Sequence, residues 1–146
     1  MLIIALLDQI IKSIIVSKVV NPIEVFSSFS IVNVKNPGAA FSSFTNSTLL
    51  LTFLAIVVFI GIVTANFLKS LPIYWAIISG GILGNLVDRI FRGPKAFQGH
   101  VVDFISIAWW PAFNIADSAI VIGAAIVVYS SFRNEKNEPN KSNTSI

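Results

Sequence analysis

Long runs of apolar residues without charge are the main feature of the hydrophobic pattern. Three such runs cover residues 49–68, 73–87 and 113–132, and only Asn114 and Asp117 introduce an amide or a charge into the last one. A helix needs about 20 mostly apolar residues to cross a bilayer. The pattern therefore predicts transmembrane helices at about 49–69, 73–90 and 113–132.

A fourth apolar segment, residues 1–20, contains one acidic and one basic side chain. Asp8 and Lys12 are four residues apart, the helical spacing at which two side chains meet on one face. The segment lacks the basic flank of a signal peptide, so we expect a transmembrane helix at about 1–20. Because no charged residue precedes Asp8, we further expect either a short first helix or a start codon upstream of Met1.

The two long connections differ in pattern. Within the polar segment 21–47, residues 29–34 alternate with a period of two, which is typical of short strands. A turn is predicted at Asn36–Gly38. The second connection, residues 91–112, carries turn-forming residues and the Trp109–Trp110 pair, which indicates an outer loop with an interfacial aromatic anchor.

These elements predict an all-α polytopic membrane protein with four transmembrane helices and a small β-rich cradle outside the bilayer, which is extracytoplasmic if both termini are cytoplasmic. We expect one membrane-embedded domain, residues 1–132, followed by a disordered polar tail, residues 133–146. Four spans place both termini on one side of the membrane and both long connections on the other. Lysine and arginine are divided evenly between the two sides, so charge alone leaves the orientation open.

Composition supports this class and excludes others. Hydrophobic residues make up 55% of the chain and charged residues 12%, which is far from the composition of a soluble globule. The absence of cysteine excludes disulfides and thiolate zinc sites, and a single histidine leaves no metal-binding box, so we expect no metal or cofactor. The net charge of +3 is scattered, so no nucleic-acid partner is indicated.

The aspartates are the candidate chemistry. All four lie inside apolar segments or at their edges, where an ionised carboxylate costs several kcal/mol unless it is paired. The predicted topology brings Asp88, Asp103 and Asp117 to one interface. Asp88 is adjacent to Arg89 and one turn from Asn85, which favours a structural ion pair at that position.

Asp103 and Asp117 have no basic neighbour in the local sequence. Two carboxylates that converge in a poorly solvated site share a proton, because both cannot easily ionise. Such a pair activates water through one member and protonates a leaving amine through the other. The alternative is two unrelated aspartates, each held by backbone amides or lysines.

Five short polar motifs carry a resemblance to a known family. In chain order they are Asp8–Lys12, Asn36–Phe41, Gly84–Arg89, Val101–Ile105 and Phe113–Asp117. Their residues and their order resemble those of the bacterial lipoprotein signal peptidases, also called signal peptidase II. Five motifs in the same order are far more specific than any one of them.

The resemblance implies an aspartyl endopeptidase that removes signal peptides from diacylglyceryl-modified prolipoproteins by cutting before the lipidated cysteine. It implies that Asp103 and Asp117 are the catalytic pair. The positions that it implies around the substrate and the site are Asn85, Asp88, Arg89, Asn114 and Ala116, together with Asp8, Lys12, Asn36 and Gly38 from the first helix and the cradle.

The resemblance also implies location and partners. The protein is expected in the bacterial cytoplasmic membrane, with both termini cytoplasmic and the active site near the outer face. Its expected partners are diacylglyceryl prolipoproteins and membrane lipids.

A function from another class remains open on the residues alone. Ionisable residues inside membrane helices are also typical of transport pathways. A small ion-coupled four-helix transporter would use Asp8, Lys12 and Asp117 as a proton relay. Against this reading, the other polar residues gather at one interface and the elaborated loops lie on one face.

Overall fold

The computed structural model describes residues 1–38 and 48–137. The helices are α1 (Leu2–Lys18), α2 (Thr48–Lys69), α3 (Ile73–Phe91) and α4 (Ile115–Asn137), and the strands are β1 (Ile23–Phe26), β2 (Phe29–Asn36), β3 (Val101–Ile107) and β4 (Trp110–Phe113). The part of the predicted cradle at 39–47 and the end of the predicted tail, 138–146, lie outside the described residues.

The four helices fall on the four apolar segments, with two differences at the last one. α4 begins at Ile115, because Phe113 belongs to β4, and it continues to Asn137, five residues into the segment predicted as a disordered tail. Among the described residues, two helices, Thr48–Lys69 and Ile115–Arg133, are long and apolar enough by themselves to cross a membrane.

Helix α3 packs against each of the other three helices. Its glycines allow close approach: a Cβ at Gly80 would lie 2.7 Å from the carbonyl oxygen of Met1, and one at Gly84 would lie 2.8 Å from Oδ2 of Asp8. Small residues at this spacing are typical of helix contacts in membranes. Gly84 therefore lets the carboxylate of Asp8 on α1 reach the backbone of α3.

The strands form one antiparallel sheet in the order β1-β2-β3-β4. The prediction of a loop at 91–112 was therefore wrong, since β3 and most of β4 lie there. Residues Val101–Phe104 are all buried, so they show no alternation of polar and apolar positions from which a strand is recognised. The fold is helix-rich with a small antiparallel sheet.

The sheet is attached to the end of α1. Ile15 of α1 and Val19, the residue that follows the helix, form a buried cluster with Val102 and Phe104 of β3. This contact fixes the depth of β3 relative to the helices, and Asp103 lies between its two buried apolar neighbours.

We predict that Gly81→Ala lowers the melting temperature of the protein in detergent. A Cβ at Gly81 would collide with the carbonyl oxygen of Ala116 on α4, and overpacking of this kind costs about 1–3 kcal/mol. Gly61→Ala is the matched control, because a Cβ at Gly61 meets nothing within 4 Å. Equal melting temperatures for the two variants would contradict the close contact between α3 and α4.

Candidate active site

A buried lysine joins α1 to α3. Lys12 is fully buried, and its Nζ lies 2.7 Å from Oδ2 of Asp8, 2.8 Å from Oδ2 of Asp88 and 2.9 Å from Oδ1 of Asn85. An ammonium group has three N–H donors, so these contacts occupy all of them. The predicted contact between Asp8 and Lys12 is confirmed.

The predicted ion pair between Asp88 and Arg89 was wrong. Besides Lys12, the carboxylate of Asp88 contacts Arg92, whose Nε lies 2.6 Å from Oδ1. Side chains four residues apart share a helix face, whereas adjacent ones point in different directions. Arg89 is therefore free of Asp88 and points elsewhere.

Asp103 projects from β3 and is 2% exposed. Its Oδ2 accepts a hydrogen bond from Nδ2 of Asn36 (2.9 Å), and its Oδ1 accepts one from Nδ2 of Asn114 (2.7 Å). The register of β2 and β3, which pairs Asn36 with Val101, brings Asn36 to this carboxylate.

Asp117 lies in the first turn of α4. Its Oδ1 accepts a hydrogen bond from Nδ2 of Asn85 (2.8 Å), and its Oδ2 accepts one from the N–H of Asn114 (3.2 Å). The N–H of Asp117 in turn donates to Oδ1 of Asn114 (2.9 Å), so the two residues cap the start of the helix reciprocally. Asn114 therefore contacts both Asp103 and Asp117.

Ala116 is fully buried beside the pair. Its N–H donates to Oδ1 of Asp8 at 3.0 Å, which satisfies one of the free amides at the start of α4. The helix dipole also favours an acidic side chain near a helix N-terminus. Asp8 therefore holds the start of α4 in addition to pairing with Lys12.

Gly38 and Arg89 lie next to each other. Gly38 has a φ of 110°, and its N–H donates to Oδ1 of Asn36 at 2.8 Å. A Cβ at Gly38 would lie 2.6 Å from Cδ1 of Leu51 and 3.0 Å from Nη1 of Arg89, and the positive φ also favours glycine at this position. Nη1 of Arg89 is buried and has no hydrogen-bond partner among residues 1–38 and 48–137. A group of this kind is expected to have a ligand.

The environment of Asp103 changes its acidity. The pKa of Asp103 is raised from 3.8 to about 6: burial and the nearby negative charge of Asp117 raise it, and hydrogen bonds from Asn36 and Asn114 lower it by less. A carboxyl with this pKa holds a proton more readily than an ordinary aspartate does.

An apolar pocket of about 360 Å³ opens beside Asp117. Its other lining residues are Trp110, Phe113, Ser118, Val121 and Ile122. The pocket places an apolar surface directly against one carboxylate of the pair.

The structure brings all nine predicted supporting residues into one region around Asp103 and Asp117. Two further residues, Gln9 and Arg92, were missed. Nε2 of Gln9 donates to Oδ1 of Asp88 at 3.0 Å. Arg92 could have been found from its helical spacing to Asp88. Gln9 could not, because its partner Asp88 is distant in the sequence.

The comparison with protein families agrees with this arrangement. The family model described as signal peptidase (SPase) II matches residues 1–133. The chain belongs to the signal peptidase II family. This match covers all five motifs, including the segments that carry Asp103 and Asp117.

Curated relatives carry the name lipoprotein signal peptidase. The protein of Rhodococcus jostii (strain RHA1) is 54% identical over 99 residues, which are 65% of this chain and 50% of that protein. The protein of Mycobacterium leprae (strain Br4923) is 50% identical over 99 residues, 65% of this chain and 49% of that protein. The chain thus spans about half the length of the curated relatives that it matches.

Two solved structures, both described as bacterial membrane enzymes studied by the in meso method, share the fold. The one at 2.3 Å resolution has a TM-score of 0.79 and 27% identity, and the match covers 96% of this chain and 89% of that one. The one at 1.9 Å has a TM-score of 0.74 and 27% identity, with coverage of 88% and 86%.

We predict that Lys12→Met destabilises this signal peptidase II family member strongly. Removing one partner from a buried ion pair leaves an uncompensated charge, which costs about 3–5 kcal/mol. Lys18→Met is the matched control, since Lys18 lies on the same helix and is exposed. Thermal unfolding in detergent measures both, and similar melting temperatures would show that the buried network does not hold the helices.

Adding Asp8→Asn to Lys12→Met provides a second test of the network. The double variant leaves Asp88 paired with Arg92 and removes the unpaired charge of Asp8. It should therefore melt at a higher temperature than Lys12→Met alone.

Proposed function

We propose that this protein is an aspartyl endopeptidase that removes signal peptides from diacylglyceryl-modified prolipoproteins by cutting before the lipidated cysteine. One observation carries the proposal: Asn114 contacts both aspartates. Its Nδ2 donates to Asp103, its backbone N–H donates to the carboxylate of Asp117, and its Oδ1 accepts from the backbone N–H of Asp117. One residue thus contacts both carboxylates, that of Asp103 through its side chain and that of Asp117 through its backbone N–H. The family to which the chain belongs supports the choice of substrate.

The pair works by sharing a proton. Asp103, whose pKa is raised by burial, holds the shared proton, and Asp117 acts as the base. Asp117 takes a proton from a water molecule as the oxygen of that water attacks the scissile carbonyl carbon. Asp103 donates its proton to the carbonyl oxygen. The C–N bond then breaks as Asp117 returns its proton to the leaving amine and a hydroxyl of the tetrahedral intermediate returns a proton to Asp103. No metal takes part in this sequence.

Arg89 holds the substrate backbone in this proposal. Its buried Nη1 has no partner among the described residues and lies beside Gly38 and Leu51. A carbonyl oxygen of the substrate supplies the missing acceptor. The role is one of binding, since Asp88 is already neutralised by Lys12 and Arg92.

The apolar pocket beside Asp117 gives the substrate its orientation. Its lining of Trp110, Phe113, Val121 and Ile122 suits an acyl chain or an apolar side chain next to the scissile bond. A lipidated substrate therefore reaches the carboxylates from the membrane, and water reaches them from the sheet side.

The same proposal includes the topology. All four helices span the bacterial cytoplasmic membrane as one domain, residues 1–132, with both termini in the cytoplasm. The sheet then lies at the outer face, where a diacylglyceryl cysteine is anchored. Trp109 is 85% exposed and Trp110 57%, which suits an aromatic anchor in the outer interface.

The transporter alternative is less well supported. Asp8 and Lys12 are fully buried and 2.7 Å apart, and each has a further fixed partner. A relay requires groups that exchange protons with water on both sides. This closed ion pair favours a structural role for both residues.

The direct test is cleavage of a diacylglyceryl prolipoprotein by the purified protein in detergent, followed by the change in mobility on a gel. The same prolipoprotein without the lipid is the matched control. Cleavage that depends on the lipid supports the proposal. A folded preparation that cleaves neither substrate rejects it.

We predict that Asp103→Asn and Asp117→Asn each abolish cleavage, and that the double variant is hardly worse than either one. Residues that act as one catalytic unit are strongly non-additive. Glu24→Gln is the control, because Glu24 is an exposed acid on β1 of the same sheet. Robust cleavage by either single variant would disprove the catalytic pair.

We also predict that kcat/KM falls as the pH rises through about 6, the pKa to which burial raises Asp103. The sign follows from the role of Asp103: it must carry a proton, and it loses that proton above its pKa. Initial rates between pH 5 and 8 measure this, with the melting temperature recorded at each pH. A rate that instead rises over this range would show that ionised Asp103 is the active form.

A further inference from the structure

One edge of β3 just before Asp103 pairs with β2, with Lys35 opposite Val102, whereas the other edge is held by side chains instead of by a strand. On this edge the partner strand β4 pairs only with Ile105 and Ile107. The N–H of Val102 donates to Oδ2 of Asp88 (3.2 Å), and its carbonyl oxygen accepts from Nδ2 of Asn114 (3.4 Å). The position of Asp103 in the sheet therefore depends on how firmly Asp88 is held.

Asp88 is fully buried, and its other oxygen has two donors of its own. Nε of Arg92 lies 2.6 Å and Nε2 of Gln9 lies 3.0 Å from Oδ1. With Lys12 at 2.8 Å from Oδ2, every side of this carboxylate is occupied. Its orientation is fixed by two residues of α1 and by Arg92, the residue that follows the end of α3.

Gln9 and Arg92 also contact each other and the backbone. Nη2 of Arg92 donates to Oε1 of Gln9 at 3.3 Å, and Nε2 of Gln9 donates to the carbonyl oxygen of Gly84 at 2.9 Å. The clamp formed by Gln9 and Arg92 thus spans the junction of α1 with α3. The Arg92 side chain is 22% exposed, so it closes this network on its solvent side.

We propose that Arg92 and Gln9 are positioning residues of the peptidase: through Asp88 they hold the N–H of Val102, and with it the carboxylate of Asp103, in the active arrangement. The inference rests on the proposed function only for its effect on rate. A misplacement of a catalytic group by about 1 Å can reduce a rate about a hundredfold. The clamp does not contact the substrate, so its loss acts on kcat and leaves KM little changed.

The test compares Arg92→Gln with Arg92→Lys and with the control Lys95→Gln, which removes an exposed cation from the following loop. We expect Arg92→Gln to lower kcat about tenfold or more with KM unchanged within about twofold. Arg92→Lys recovers most of the rate, because its ammonium still reaches Asp88. Lys95→Gln behaves like the wild type. A kcat unchanged by Arg92→Gln overturns the inference.

A second readout separates positioning from general loss of stability. Loosening β3 admits water to Asp103, so the limb of the kcat/KM profile near pH 6 moves to lower pH in Arg92→Gln. A variant that only unfolds more easily has a lower kcat/KM at every pH, while the limb of its profile stays near pH 6. That result would overturn the inference.

Amide hydrogen exchange tests the clamp without any activity. Exchange of the Val102 N–H should be faster in Arg92→Gln than in the wild type and in Lys95→Gln. If the wild type cleaves no prolipoprotein, the proposed function fails while this measurement still decides the clamp. Should Arg92→Gln not fold, Gln9→Met replaces it in the same comparison, and unchanged exchange at Val102 in a folded variant overturns the inference.

Discussion

The buried ammonium of Lys12 is the interaction on which the rest of the structure depends. Its three acceptors lie on α1 and α3, and each acceptor contacts a second element: Asp8 caps α4 at Ala116, Asp88 holds β3, and Asn85 reaches Asp117. A charge of this kind is stable in an apolar bundle only when every partner is present. One cation thus sets the relative positions of three helices and a strand.

The site itself is organised by amides. Asn36 and Asn114 donate to Asp103, and Asn85 donates to Asp117. A neutral amide orients a carboxylate without supplying the full positive charge that would keep it ionised, so a buried aspartate retains a raised pKa. Charged partners are instead concentrated around Asp8 and Asp88. In the proposed function, the aspartates with charged partners have a structural role and the pair held by amides transfers the proton.

Much of the helical part was predictable, because a membrane helix is recognised from the length of its apolar run and needs no knowledge of its neighbours. The strand at Val101–Ile107 was not. Its first four residues are all buried among α1, α3 and the neighbouring strands. The alternation that identifies a surface strand is therefore missing. The partner of Asp88 was likewise assigned by adjacency, whereas the helix geometry selects Arg92 over Arg89.

The sequence by itself determined the candidate residues: four aspartates in apolar surroundings, the spacing of Asp8 and Lys12, and five motifs in one order. Tertiary structure alone decided how those aspartates are divided, because burial and hydrogen bonding depend on contacts between segments far apart in the chain. The bond from Asn36 to Asp103 and the bond from Asn85 to Asp117 are examples. Local sequence contains the side chains, but the pairing of β2 with β3 and the packing of α3 against α4 create their environment.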